Sequence, residues 1–174
     1  MEDEAPDIIH GETCPFCNQK TLTLMEAERD IPHFGLCYLF SMSCSNCKYH
    51  KSDVETEKGA GKVKYELTID SEEDMNIRVV KASSATVKLG RIGSIESGEQ
   101  SNGYITNVEG VLNRIKSAME FLRDDAEDDA DKKKAKNALK KLQRIMWGQE
   151  PAVLTIDDPE GNSAIISEKA KKVK

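Results

Sequence analysis

Cys14-Pro15-Phe16-Cys17 and its echo Cys44-Ser45-Asn46-Cys47 decide how this chain folds. Two Cys-x-x-Cys turns at this separation match the ligand spacing of a tetrahedral thiolate site. A two-residue gap lets both sulfurs of one turn reach a single ion, and the turn's backbone N–H groups hold the thiolate charge. Two such turns on facing hairpins make a zinc ribbon. The competing reading, a pair of disulfides, belongs to small oxidised secreted scaffolds. A chain of 174 residues with five cysteines does not fit that class, and Met1-Glu2-Asp3-Glu4 is acidic where a signal peptide needs a positive segment. The expectation is a cytoplasmic protein with one structural Zn2+ on Cys14, Cys17, Cys44 and Cys47. A single iron, or part of an iron–sulfur cluster, is the alternative that four thiolates leave open. Either way the coordination is closed, so a metal-bound water and an enzymatic role are not expected. Cys37, flanked by Leu36, Tyr38, Leu39 and Phe40, reads as a buried small hydrophobe.

Charge narrows the partners. Charged residues make up 32% of the chain and the net charge is -6, which disfavours general binding to phosphate backbones. Within the ribbon, Lys20, Arg29, Lys48 and Lys51 are offset by Glu26, Glu28, Asp30 and Asp53, without the basic surplus of a nucleic-acid-binding ribbon. No apolar run approaches the ~20 residues of a membrane span.

Outward from the cysteines, residues 1–12 read as a polar lead and residues 13–53 as the ribbon, with hairpin strands at 21–25 and 38–42. Residues 57–62 make a turn and linker. They fail as a phosphate loop, because Thr56 stands where the first glycine belongs and Val63 follows Lys62. Val63, Tyr65, Leu67 and Ile69 alternate with polar residues as in a half-buried strand. Short strands follow at 76–82, 85–89 and 91–95, separated by polar turns, as in a jelly-roll-like barrel. The barrel region 63–95 contains no histidine, which removes a cupin-like metal site.

The period then changes. Thr106 and Glu109 read as a capping box, and Val108, Val111, Leu112, Ile115, Met119 and Leu122 fall at helical spacing. After the acidic run 124–131, Ala135, Ala138, Leu139, Leu142, Ile145 and Met146 form a second stripe, and the lysines at 132–141 face solvent. The two helices make a hairpin inserted at about 107–148 that ends at Trp147-Gly148, after which 152–156 returns to strand. The β domain is expected over 54–164, with a disordered basic tail at 165–174.

Four stretches besides the general pattern carry a resemblance: the two cysteine turns, Ile31-Pro32-His33-Phe34, residues 73–81, and residues 103–112 with Thr106-Asn107-Val108-Glu109-Gly110 at their centre. A fifth is Asp157-Asp158-Pro159-Glu160-Gly161-Asn162-Ser163. In these the chain resembles the ZPR-type zinc-finger family, in its single-copy archaeal form, from Cys14 to Ser163. The resemblance implies a zinc ribbon followed by a double-stranded β-helix (jelly-roll-like) domain with an inserted helical hairpin. It departs at Leu89-Gly90-Arg91-Ile92-Gly93, where members commonly carry an Ile-Pro-Glu-Leu stretch. It further implies a protein-interaction module that binds the translation elongation factor 1-alpha type GTPase and assists its folding, like a chaperone. Ile31, Phe34, Arg78, Lys81, Asp157, Asp158 and Asn162 are the residues expected to meet that partner, although turn chemistry alone accounts equally well for 157–162. The alternative is a nucleic-acid-binding ribbon protein of translation or transcription.

Overall fold

A computed structural model describes residues 5–57 and 61–173. The central part of the expected 57–62 linker thus lies outside the described residues. Among the described residues, twelve strands and two helices run in the order β1 (Asp7–Glu12), β2 (Leu22–Ile31), β3 (Gly35–Cys44), β4 (His50–Thr56), β5 (Val63–Ile69), β6 (Arg78–Lys81), β7 (Thr86–Leu89), β8 (Gly93–Ile95), β9 (Tyr104–Asn107), α1 (Val108–Asp125), α2 (Asp129–Met146), β10 (Ala152–Asp158), β11 (Ala164–Ile166) and β12 (Lys171–Val173). A single 3-10 turn, Glu73–Asn76, precedes β6. Among the described residues no helix is long and apolar enough to cross a membrane.

The ribbon is one antiparallel sheet, β1-β2-β3-β4. Its central hairpin is longer than the strand formers at 21–25 and 38–42 suggest, because Ile31-Pro32-His33-Phe34 closes it as a tight turn. The Phe34 amide donates to the Ile31 carbonyl at 2.9 Å, Pro32 sits at the second position, and His33 takes φ 67°. This is the pattern of a type II turn, in which the third residue must be left-handed. The polar lead is also corrected: Asp7–Glu12 is an edge strand paired with β2, its backbone satisfied by the neighbouring ladder.

The jelly roll sets a five-stranded sheet, β12-β5-β10-β7-β8, against a three-stranded one, β11-β6-β9. Leu67, Ile69, Val87, Leu89, Leu154 and Ile156 come from the first sheet and Val79 from the second. They bury completely with Val111, Leu112 and Ile115 of α1 and Leu142 and Ile145 of α2. The helical hairpin therefore forms one wall of the core rather than an appendage. The α1 cap is Asn107, not Thr106: its Oδ1 accepts the Gly110 amide at 2.9 Å. Leu122, placed on the apolar stripe by spacing, is 63% exposed, because it lies beyond the reach of the sheets. Residues 165–174 are corrected as well. β11 pairs with β6, and Lys171–Val173 pairs with β5. Between them Lys169 ties the segment to Asp70 and Asp74 at 2.8–2.9 Å. A lysine-rich edge strand has no apolar stripe to betray it, since only its backbone is bound.

Ribbon and jelly roll meet along β4. The Gly103 amide donates to the Ser52 carbonyl at 2.8 Å, and the Ser52 hydroxyl donates to the Gly103 carbonyl at 2.8 Å. A Cβ on Gly103 would stand 2.7 Å from the Val54 amide nitrogen, so only glycine allows this approach. Asp53 accepts the Ser83 amide at 2.8 Å and the Ser83 hydroxyl. A second small core, Ile31, Cys37, Val54 and Val80, spans the junction. Cys37 is fully buried there, as its flanks suggested, and desolvation, with Asp30 adding to it, pushes its thiol up to about 11.

Candidate metal centre

The two cysteine turns are built alike. Cys14 and Cys44 end or precede strands, and their amides donate to the carbonyls of Gln19 and Tyr49 at 2.9 and 2.8 Å. Their own carbonyls accept the amides of Asn18 and Lys48 at 2.9 and 3.1 Å. These last two residues have φ 55° and 63°, the left-handed step that turns each loop back on itself. The Ser45 amide donates to the Thr21 carbonyl at 3.1 Å and ties one turn to the other.

The four sulfurs of Cys14, Cys17, Cys44 and Cys47 lie within 4.8 Å of one another. Cys14 and Cys47 are 3.7 Å apart, as are Cys17 and Cys44. That is far beyond the ~2.05 Å of a disulfide bond, and all four are free thiols. It also agrees with the edge of about 3.8 Å that four Zn–S bonds of about 2.3 Å impose in a tetrahedron. The donor set thus fits one structural Zn2+. Further hydrogen bonds favour thiolates. The Thr21 hydroxyl lies 3.2 Å from Cys44 Sγ and the Cys47 amide donates to it at 3.5 Å. Together they draw the Cys44 thiol down to about 6. Asn46, with the Gln19 backbone, lowers Cys17. Phe16 and Tyr49 stack over the outside with ring centroids 4.5 Å apart. Cysteine spacing predicted the ligands but could not predict Thr21, whose role depends on the two turns meeting.

The expected partner residues separate into three groups. Arg78 and Ile31 line one groove of about 640 Å³ at the junction, with Arg29, Leu39, Ile105 and Thr106. Arg78 is exposed and has no ion pair among the described residues. Ile31 is buried in the groove floor. Phe34 lies elsewhere, beside Tyr65 and Gly161. Lys81 and Asp158 are corrected: both are fully buried, and neither can present a surface to a partner. The Lys81 ammonium donates to the carbonyls of Ala82 and Asn102 and to the Ser101 hydroxyl, at 2.9, 3.3 and 3.1 Å. Burial lowers it to about 8, although Asp53 and Asp158 oppose the shift.

The Asp157 to Ser163 stretch is a joint. Asp158 Oδ1 accepts the Glu160 amide at 3.0 Å and the Ser84 hydroxyl at 2.9 Å, and Ser163 Oγ accepts the Ala82 amide at 2.9 Å. Asn162 reaches across to the ribbon, where its Oδ1 accepts the Thr56 amide and hydroxyl at 3.2 and 3.1 Å. Asp157 stays near the surface, 3.6 Å from the Lys62 ammonium, and Pro159 and Glu160 are exposed. Why these residues stand together is therefore explained without a partner.

Comparison with known proteins agrees with both halves of the architecture. Residues 8–63 match the ZPR1 zinc-finger domain and residues 73–174 the ZPR1 jelly-roll domain. A ZPR1-like protein of Methanocaldococcus jannaschii is 39% identical over 157 residues, covering 89% of this chain and 79% of its own length. One from Pyrococcus horikoshii is 36% identical over 166 residues, covering 92% and 74%. The zinc finger chaperone zpr1 of Schizosaccharomyces pombe is 29% identical over 117 residues, which are 63% of this chain but only 25% of the yeast protein. With a thiolate site of zinc dimensions at one end and the matching jelly roll at the other, the chain belongs to the ZPR1 family of zinc-finger proteins.

Proposed function

We propose that this protein is a non-catalytic chaperone of the cytoplasm, which binds the translation elongation factor 1-alpha type GTPase and assists its folding. The observation that carries the reading is the closed metal site. Four thiolates leave zinc no open position for substrate or water, so the metal serves to hold a surface. A groove at the opposite end of the ribbon, at its root, offers a surface. Arg78 supplies a guanidinium that has no ion pair among the described residues, and Ile31, Leu39 and Ile105 an apolar floor, a combination suited to an acidic and apolar stretch of a client protein. Of the original set we retain Arg78 and Ile31 at this groove, and Phe34 and Asp157 on surfaces apart from it. The name of the fission yeast relative points the same way.

The test mixes the purified protein with the elongation GTPase, native and chemically unfolded, and follows complex formation by analytical ultracentrifugation at rising salt. A complex with the unfolded or refolding GTPase is expected, and Arg78→Glu should weaken it at least tenfold while zinc content stays at one per chain. No complex with either form, together with tight salt-sensitive binding to ribosomal RNA, would favour the nucleic-acid reading instead.

A further inference from the structure

Among the described residues the ribbon sheet has an edge, β1, that the jelly roll does not use. β1 pairs only with β2 among the described residues, and its six residues are all exposed. Ile8 and Ile9 are 49% and 55% exposed. Cross-strand partners share a face of the sheet, so Ile9, Leu24 and Met42 stand in one row. The next row on that face is Asp7, Glu26 and Phe40. These rows line a concavity of about 670 Å³ that contains no basic residue. Two carboxylates, Asp7 and Glu26, are direct cross-strand partners, and neither has a cation among the described residues. Like charges placed opposite each other on a sheet are unfavourable, and an incoming cation would relieve them. Register slips between His10 and Glu12, where Gly11 takes φ 81°, so the regular edge is confined to residues 7–10.

We infer that residues 7–10 form a strand-addition site for a short extended segment of a client chain that carries a lysine or arginine two positions from an apolar residue, so that both fall on the same face of the added strand. Main-chain hydrogen bonds to the open edge of β1 hold the segment. Its apolar residues cover Ile9, Leu24 and Met42, and its cations meet Asp7 and Glu26. The inference rests on the protein-binding reading above but uses a different surface, of opposite charge preference, from the groove at Arg78.

Three labelled peptides of about eight residues test it by fluorescence anisotropy. One repeats lysine-serine-valine-serine, which puts lysine and valine on one face, one repeats glutamate-serine-valine-serine, and the third is the lysine peptide with alternate amides N-methylated. Binding of the first alone is expected, with NMR shifts centred on residues 7–10, Leu24 and Met42. The exposed double substitution Asp7→Lys with Glu26→Lys should weaken the lysine peptide at least tenfold and admit the glutamate one. Equal binding of the methylated peptide, shifts confined to other surfaces, no binding of the lysine peptide, or an unchanged preference in the double variant would overturn the inference. Capture of the GTPase separates the two proposals. Should the double variant hold the GTPase as the wild type does while no peptide binds, the edge site fails and the chaperone reading stands. Should the lysine peptide bind as described while no GTPase is held, the reverse is true.

Discussion

Removing zinc should unfold half of the ribbon and leave the other half in place. The distal half surrounds the metal, and its buried cluster is Cys14, Leu22 and Cys44. Burying one leucine contributes roughly 2–3 kcal/mol. Fixing the backbone of the eight residues in the two Cys-x-x-Cys turns costs on the order of 10 kcal/mol, a deficit that a structural zinc, at about 10–16 kcal/mol, can offset. The root is different. Ile31, Val54 and Val80 bury on the order of 5–9 kcal/mol of apolar side chain. Its polar groups are bound across the junction through Ser52, Asp53 and Thr56. Chelation, or Cys44→Ser, should therefore strip amide protection from residues 14–22 and 44–49 and preserve it at Val54 and Val80. Hydrogen exchange read by NMR during a chelator titration decides this. Loss of protection at Val54 and Val80 in step with the cysteine turns would refute the reasoning, and so would turns that stay protected without metal.

Three further outcomes follow from single side chains. Asn162→Ala leaves the Thr56 amide and hydroxyl without their shared acceptor and should cost about 1–3 kcal/mol in urea denaturation, loosening the ribbon root first. Asp74 is held down to about 2: burial works against this, but the Lys169 ammonium and the amides of Asp70 and Ser71 outweigh it. Its folded value lies below the unfolded one, so its stabilisation is present above about pH 4 and fades as pH falls toward 2; Asp74→Asn should flatten the acid limb of the stability profile. Lys81 is lowered by burial to about 8, so the unfolded chain binds the extra proton above that pH. Stability should rise from pH 8 to 10 in the wild type relative to Lys81→Met, measured as paired denaturation curves.

Local pattern was enough for much of this protein, because the forces concerned act over a few residues. The metal ligands followed from the reach of two sulfurs in one turn, and the strand at Val63–Ile69 from strict alternation. The helical hairpin followed from a change of period. What failed involved groups whose partners are distant in sequence. Asp7–Glu12 and Lys171–Val173 have no apolar stripe, and each is a strand only because a neighbouring ladder takes up its backbone groups. Lys81 and Asp158 look like surface residues in a linear string. The Ser101 hydroxyl and the Asn102 carbonyl enclose the first, and Ser84 with the 159–161 turn encloses the second. Thr106 outranked Asn107 as a cap on spacing alone, yet the geometry at the end of β9 gives the bond to Asn107. The chain by itself determined that a four-thiolate ribbon precedes a mainly β domain carrying a helical hairpin, since turn reach and side-chain period are local properties. Tertiary structure alone decided that the ribbon root and the jelly roll share a core, which charged residues are interior, and that Asp7 faces Glu26 on an open edge, since each depends on which distant backbones approach.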